Sequence, residues 1–189
     1  MTPAIGIILA LNIAAYAALV VAQGGFDISG RTIANWGGLS PLNTMSGEYW
    51  RFLIAGFLHF SPMHIIANST CLVAWGVPIE RHFGLLRLLT LYIASILAGS
   101  IGSVALHTEN FISAGASGGT SGLLGGLLML GLLGHTRLTA SFVITNVGLN
   151  VGIAFLSSGI DWQAHLGGCL GGMLITALIA SDRDRKTMF

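Results

Sequence analysis

The chain has 189 residues, of which 53% are hydrophobic and only 8% charged, against roughly 25% charged in a soluble domain. Its net charge of +1 offers no basic field to a nucleic acid, so nucleic-acid binding is excluded together with a charge-covered soluble globule. A mean hydropathy of +0.81 fits an integral membrane protein.

A membrane-spanning helix needs about 20 mainly apolar residues. The first such run, 3–22, has no basic residue ahead of it and is followed by QGGFD rather than a small-residue cleavage site. It is expected to be a retained helix and not a signal peptide. Residues 23–60 are too long and too aromatic for a plain turn. With Trp36, Pro41, Glu48, Trp50 and Arg51, they are expected to lie at the membrane interface. Further spans are expected at 61–79, 85–106, 117–134, 138–156 and 162–180, joined by short connections. Cys71 and Cys169 fall inside apolar runs, where a disulfide is not expected. No linker or repeat interrupts the pattern, so 1–189 reads as a single domain of six spans.

An even number of spans puts both termini on one side. That side holds Arg81, Arg87, Arg137, Arg183, Arg185 and Lys186, the last three in a DRDRK stretch that reads as a stop signal. The other side holds Arg31 and Arg51 with Asp27, Glu48, Glu109 and Asp161. Basic loops stay inside, so both termini are expected to be cytoplasmic. A plasma membrane of the bacterial type is the expected location.

Polar groups inside a bilayer are costly and need a partner or a purpose. Four stand out: His64 and Asn68 in the second span, Ser117 at the head of the fourth, and His165 in the sixth. With both termini inside, these spans run the same way, and all four residues fall at similar depth near the outer surface. The fourth span offers Gly118, Gly122 and Gly126 at four-residue spacing, and the sixth offers Ala164, Gly168 and Gly172. Such small-residue faces let backbones approach in lipid, so these two spans are expected to pack together and bring Ser117 toward His165.

Serine is a weak nucleophile until a base takes its proton, and histidine is the usual base near neutral pH. The oxyanion then formed needs fixed donors. Free N–H groups at the head of the fourth span could provide them, as could His64 and Asn68, which sit one turn apart on one face. Each element has a plainer reading. Glycine and serine serve packing; a single histidine or asparagine can be interhelical glue or line a cavity. A metal site from His59, His64 and His165 would lack an acidic or thiolate ligand. Trp50, Trp75 and Trp162 can be interface anchors, and His82, His107 and His135 lie in loops or at helix ends. The joint pattern at one depth favours catalysis.

These residues resemble the rhomboid intramembrane serine proteases over nearly the whole chain. The family's signatures are a Trp-Arg pair in the first long loop, H-x-x-x-N in the second helix, G-x-S-G at the start of the fourth and A-H-x-x-G-x-x-x-G in the sixth. Here they are Trp50-Arg51, His64 with Asn68, Gly115 to Gly118, and Ala164-His165 with Gly168 and Gly172. Glu80 and Gly84 match the turn between the second and third helices.

The resemblance implies an all-α, six-helix membrane bundle in which Ser117 and His165 form a dyad without an acidic third member. It implies an oxyanion hole of His64, Asn68 and the Ser117 N–H, and a half-submerged loop seated by Trp50 and Arg51. Glu80 would brace the cytoplasmic ends. The implied substrate is the transmembrane segment of another membrane protein, with no metal or cofactor. One position departs: where the family often has an aromatic ring four residues after the nucleophile, this chain has Ser121. Two other classes compete: a catalytically silent rhomboid-like protein that binds membrane clients, and a small transporter with a histidine-lined path. The pattern leaves the oligomeric state open.

Overall fold

The structure is a computed structural model that describes residues 2–107, 111–156 and 160–180, with backbone only for 152–156. Glu109, Arg183, Arg185 and Lys186, used above for orientation, lie outside the described residues. The order is α1 (Pro3–Gln23), α2 (Gly30–Trp36), α3 (Pro41–Met45), α4 (Arg51–Ile54), a 3₁₀ turn (Ala55–Phe57), α5 (Pro62–Phe83), α6 (Leu85–Leu106), α7 (Ser117–Leu132), α8 (Ala140–Leu156) and α9 (Trp162–Ile179). A helix occupies each range expected to span. Among the described residues, α1, α6 and α9 are long and apolar enough to cross a membrane by length and composition, while α7 and α8 are shorter apolar helices.

The helix ends differ from expectation where local chemistry overrides hydropathy. Helix α5 runs past residue 79 to Phe83, and Gly84 in the left-handed region (φ 82°) then turns the chain into α6. Helix α7 stops at Leu132 rather than 134 because Gly134 adopts φ 75°. The 23–60 segment is not a plain loop but three short helices and a turn. Ser29 and Ser40 cap α2 and α3 by accepting from Thr32 N and Asn43 N.

Arg51 ties that segment together. Its Nη1 donates to the carbonyls of Ala34 (2.6 Å) and Gly38 (3.0 Å), it pairs with Glu48, and its guanidinium lies 4.6 Å from the centre of the Trp50 ring. Trp50 in turn packs on Gly37, where a Cβ would come within 2.6 Å of the indole. Leu39 and Ser113 exchange N–H to O=C bonds at 2.8 Å each, and Gly115 N donates to Ala55 O at 2.9 Å. These bonds fix the strand of chain that leads into α7.

The bundle is inverted relative to a soluble one. Helix α9 buries Gly168, Gly172 and Thr176 and exposes Leu166, Leu170, Leu174 and Leu178. That is sensible only where the outer solvent is lipid and small residues draw helices together. Helix α7 is buried from Gly118 through Leu127 between α6 and α9. Around it sits an aliphatic and aromatic core that includes Ile5, Ile8, Leu72, Ile79, Leu91, Tyr92 and Leu123. Trp75 belongs to this core and is no interface anchor: it is buried and its Nε1 donates to Asn146 Oδ1 of α8 at 2.9 Å. Both cysteines are free.

At the opposite end of α5 from His64, Glu80 is buried and accepts from the N–H groups of Ala4 (2.7 Å) and Ile5 (3.0 Å). Its carboxylate thereby caps α1, whose own cap residue Thr2 makes no side-chain bond to the helix.

Candidate active site

The small-residue faces of α7 and α9 meet. A Cβ on Gly168 would overlap the carbonyl of Gly118, and one on Gly172 the carbonyl of Gly122. Helix α6 joins them through Gly99, where a Cβ would lie 2.8 Å from Ala164 O and 3.1 Å from Gly118 Cα. Three backbones thus approach to van der Waals contact beneath Ser117 and His165. No residue with a side chain could occupy these positions without moving a helix.

Ser117 is the first residue of α7. Its N-cap, Ala116, makes no side-chain cap bond, so among the described residues the first N–H groups of α7 meet no side-chain acceptor at the positive end of the helix. His64 stands in the first turn of α5, where Ser61 Oγ accepts from its N–H at 3.3 Å, and Asn68 Nδ2 donates to His64 O at 3.1 Å. Ser117, His64, Asn68 and His165 all line one open cavity of about 930 Å³.

Gly115 sets the distance between two of them. It has φ 143°, and a Cβ there would lie 2.7 Å from His64 Nε2 and 3.6 Å from Ser117 Oγ. The space that a side chain would take is the space into which the imidazole and the hydroxyl both point.

His64 packs against two other rings. Phe60 stacks at 6.1 Å between centres, and His59 stands edge-on at 5.0 Å. His59 is fully buried, and burial, with His64 beside it, pushes its pKa down to about 3; this ring is neutral at physiological pH. The sequence points to His59 only as a metal ligand. Among the described residues, no three His, Cys, Asp or Glu side chains converge as a metal site.

Two further features of the cavity come from Asp161 and α8. Asp161 caps α9, accepting from Ala164 N at 2.9 Å and from Ser103 Oγ of α6, and His107 comes within 3.9 Å of it. An acidic residue directly before a helix is a readable cap signal, and His107, at the end of α6 as expected, lies beside it. Helix α8 presents Asn146 and Asn150 to the cavity. Asn150 Nδ2 donates to Ser121 Oγ at 3.1 Å, so Ser121, buried one turn below Ser117, is occupied by a polar bond to α8. Two asparagines four apart in an apolar span were the available signal.

Residues 46–182 match the Rhomboid domain family model. RHOMBOID-like protein 4 of Arabidopsis thaliana is 37% identical over 153 residues, 78% of this chain and 38% of that protein. Rhomboid protease GluP of Bacillus subtilis is 32% identical over 158 residues, 82% of this chain and 31% of its own length. Putative rhomboid protease YdcA of Bacillus subtilis is 30% identical over 148 residues, 77% of this chain and 74% of that protein. The chain therefore spans less than half the length of the first two. With a plant protein beside bacterial ones, the expected bacterial-type plasma membrane has no support; what stands is an integral membrane protein with apolar helices. By sequence match and helical architecture together, the chain belongs to the rhomboid family.

Proposed function

We propose that this chain is an intramembrane serine endopeptidase in which Ser117 is the nucleophile and His165 the general base. The observation that carries the reading is the convergence of Ser117, His165, His64 and Asn68, from α7, α9 and α5, on one cavity. His165 takes the hydroxyl proton as Ser117 Oγ attacks the scissile carbonyl carbon. The oxyanion is met by the Ser117 N–H at the uncapped head of α7, with His64 and Asn68 as side-chain donors. Collapse breaks the peptide bond, and His165 returns its proton to the leaving amine. Water then repeats the sequence on the acyl-enzyme and frees Ser117.

The substrate is the transmembrane segment of another membrane protein, presented where it unwinds. Helices α1 and α5 to α9 are the six spans of a single domain, 1–189, and the bias of Arg and Lys between loops puts both termini on the cytoplasmic side. Trp50 and Arg51 seat the interfacial segment, Glu80 braces the far end, and Gly115, Gly118, Gly168 and Gly172 allow the close approach.

The test is covalent. In detergent or nanodiscs the protein is expected to react with a fluorophosphonate probe and to cleave a model transmembrane substrate, and Ser117→Ala is expected to abolish both. Cleavage that survives Ser117→Ala sinks the mechanism.

A further inference from the structure

We propose that Asp161 is a positioning residue for His165: it suspends the first turn of α9 and sets a fixed negative charge beside the base. This inference rests on the serine-peptidase reading for its catalytic consequence, not for its physical content.

The first turn of α9 hangs on Asp161. One carboxylate oxygen accepts from Ala164 N at 2.9 Å, and its main-chain carbonyl accepts from His165 N at 3.3 Å. The other carboxylate oxygen accepts from Ser103 Oγ in the last turn of α6, so the cap is itself fixed to a neighbouring helix. Both Asp161 and His165 line the cavity, and the cap sets the carboxylate one helical turn before the imidazole, at the i, i+4 spacing (161 to 165) where its charge acts on the ring.

It does so without contact. His165 Nδ1 is buried with no hydrogen-bond partner among the described residues, and each Asp161 oxygen already has a donor. This is therefore not a hydrogen-bonded triad but a charge held at a set position by a helix cap. The Asp161 side chain is only 13% exposed, so water screens its field weakly. A neighbouring carboxylate favours imidazolium, which His165 must become when it takes the Ser117 proton.

Among the described residues, His107 and His64 also face this pair. His107 Nδ1 lies 3.9 Å from the carboxylate and 2.9 Å from Ser103 O, with its ring stacked on Phe111 at 3.6 Å. His64 faces His165 across the cavity.

The experiment separates cap from charge. Asp161→Asn and Asp161→Ser each keep a capping acceptor and remove the charge, whereas Asp161→Ala removes both. In nanodiscs, histidine NMR follows the His165 ring, assigned by its loss in His165→Asn. The thermal midpoints of Asp161→Asn or Asp161→Ser are expected to stay near wild type, while His165 titrates about half a pH unit or more lower. The acid limb of kcat/KM is expected to move with it and kcat to fall several-fold, with KM little changed; Asp161→Glu restores part of both. Asp161→Ala is expected to show the same titration shift and a lower midpoint. Superimposable His165 titration curves in wild type and the two cap-retaining variants overturn the proposal. Because titration needs no turnover, a wild-type protein that fails to label with fluorophosphonate refutes the peptidase reading alone.

Discussion

Gly115 illustrates how much of the site depends on an atom that is missing. At φ 143° the backbone is one that residues with a Cβ rarely adopt, and the direction in which that Cβ would point is occupied by His64 Nε2 at 2.7 Å. The imidazole cannot retreat easily, since Phe60 and His59 pack against it. Gly115→Ala is expected to lower the rate of fluorophosphonate labelling at Ser117 by about 10-fold or more, the scale on which small misplacements are felt. Labelling at the wild-type rate in folded Gly115→Ala would show that the approach of His64 to Ser117 is not needed. At this scale the sequence was readable where a polar residue interrupted an apolar run, as at His64, Asn68, Ser117 and His165. It was opaque where a partner came from a distant helix. Nothing near Ser121 foretells Asn150, because the bond spans 29 positions and depends on how α8 leans on α7.

Between elements, packing in lipid is decided by backbone approach rather than by expulsion of water. Repeats of small residues are visible in a one-dimensional sequence, which is why the meeting of α7 and α9 could be expected. The partial secondary structure of 23–60 could not, for its short helices are set by serine caps and by the grip of Arg51 on Ala34 O and Gly38 O. The glycines themselves are not equivalent. A methyl on Gly172 would collide with backbone atoms of Gly122, which cannot rotate away, whereas one on Gly148 of α8 would meet nothing within 4 Å. Gly172→Ala is expected to cost about 2 kcal/mol or more through forced separation of α7 and α9. Gly148→Ala is expected to be neutral or mildly stabilising, since alanine is the better helix former. Thermal unfolding in one detergent, monitored by helix circular dichroism, compares the pair. Equal midpoints would mean that the α7–α9 contact is loose enough to admit a methyl group.

Across the whole molecule, the two ends of α5 have different tasks. His64 opens the helix at the cavity, while Glu80 lies 16 residues further on (64 to 80), about 24 Å along the axis at 1.5 Å per residue. There its carboxylate satisfies two N–H groups at the head of α1, binding the first helix of the chain to the bundle. The same burial that makes this bond strong makes its loss expensive. Glu80→Ala leaves both N–H groups without their acceptor, and Glu80→Gln keeps a single neutral oxygen in place of the carboxylate. The thermal midpoint is therefore expected to fall in the order wild type, Glu80→Gln, Glu80→Ala, with a total loss of about 2 kcal/mol or more. Below that midpoint, the labelling rate at Ser117 per folded molecule is expected to stay within about two-fold of wild type, because α5 is a rigid rod pinned by Leu72, Trp75 and Ile79 between its two ends. A Glu80→Gln protein that keeps its midpoint but loses labelling would show that the far end of α5 communicates with the cavity.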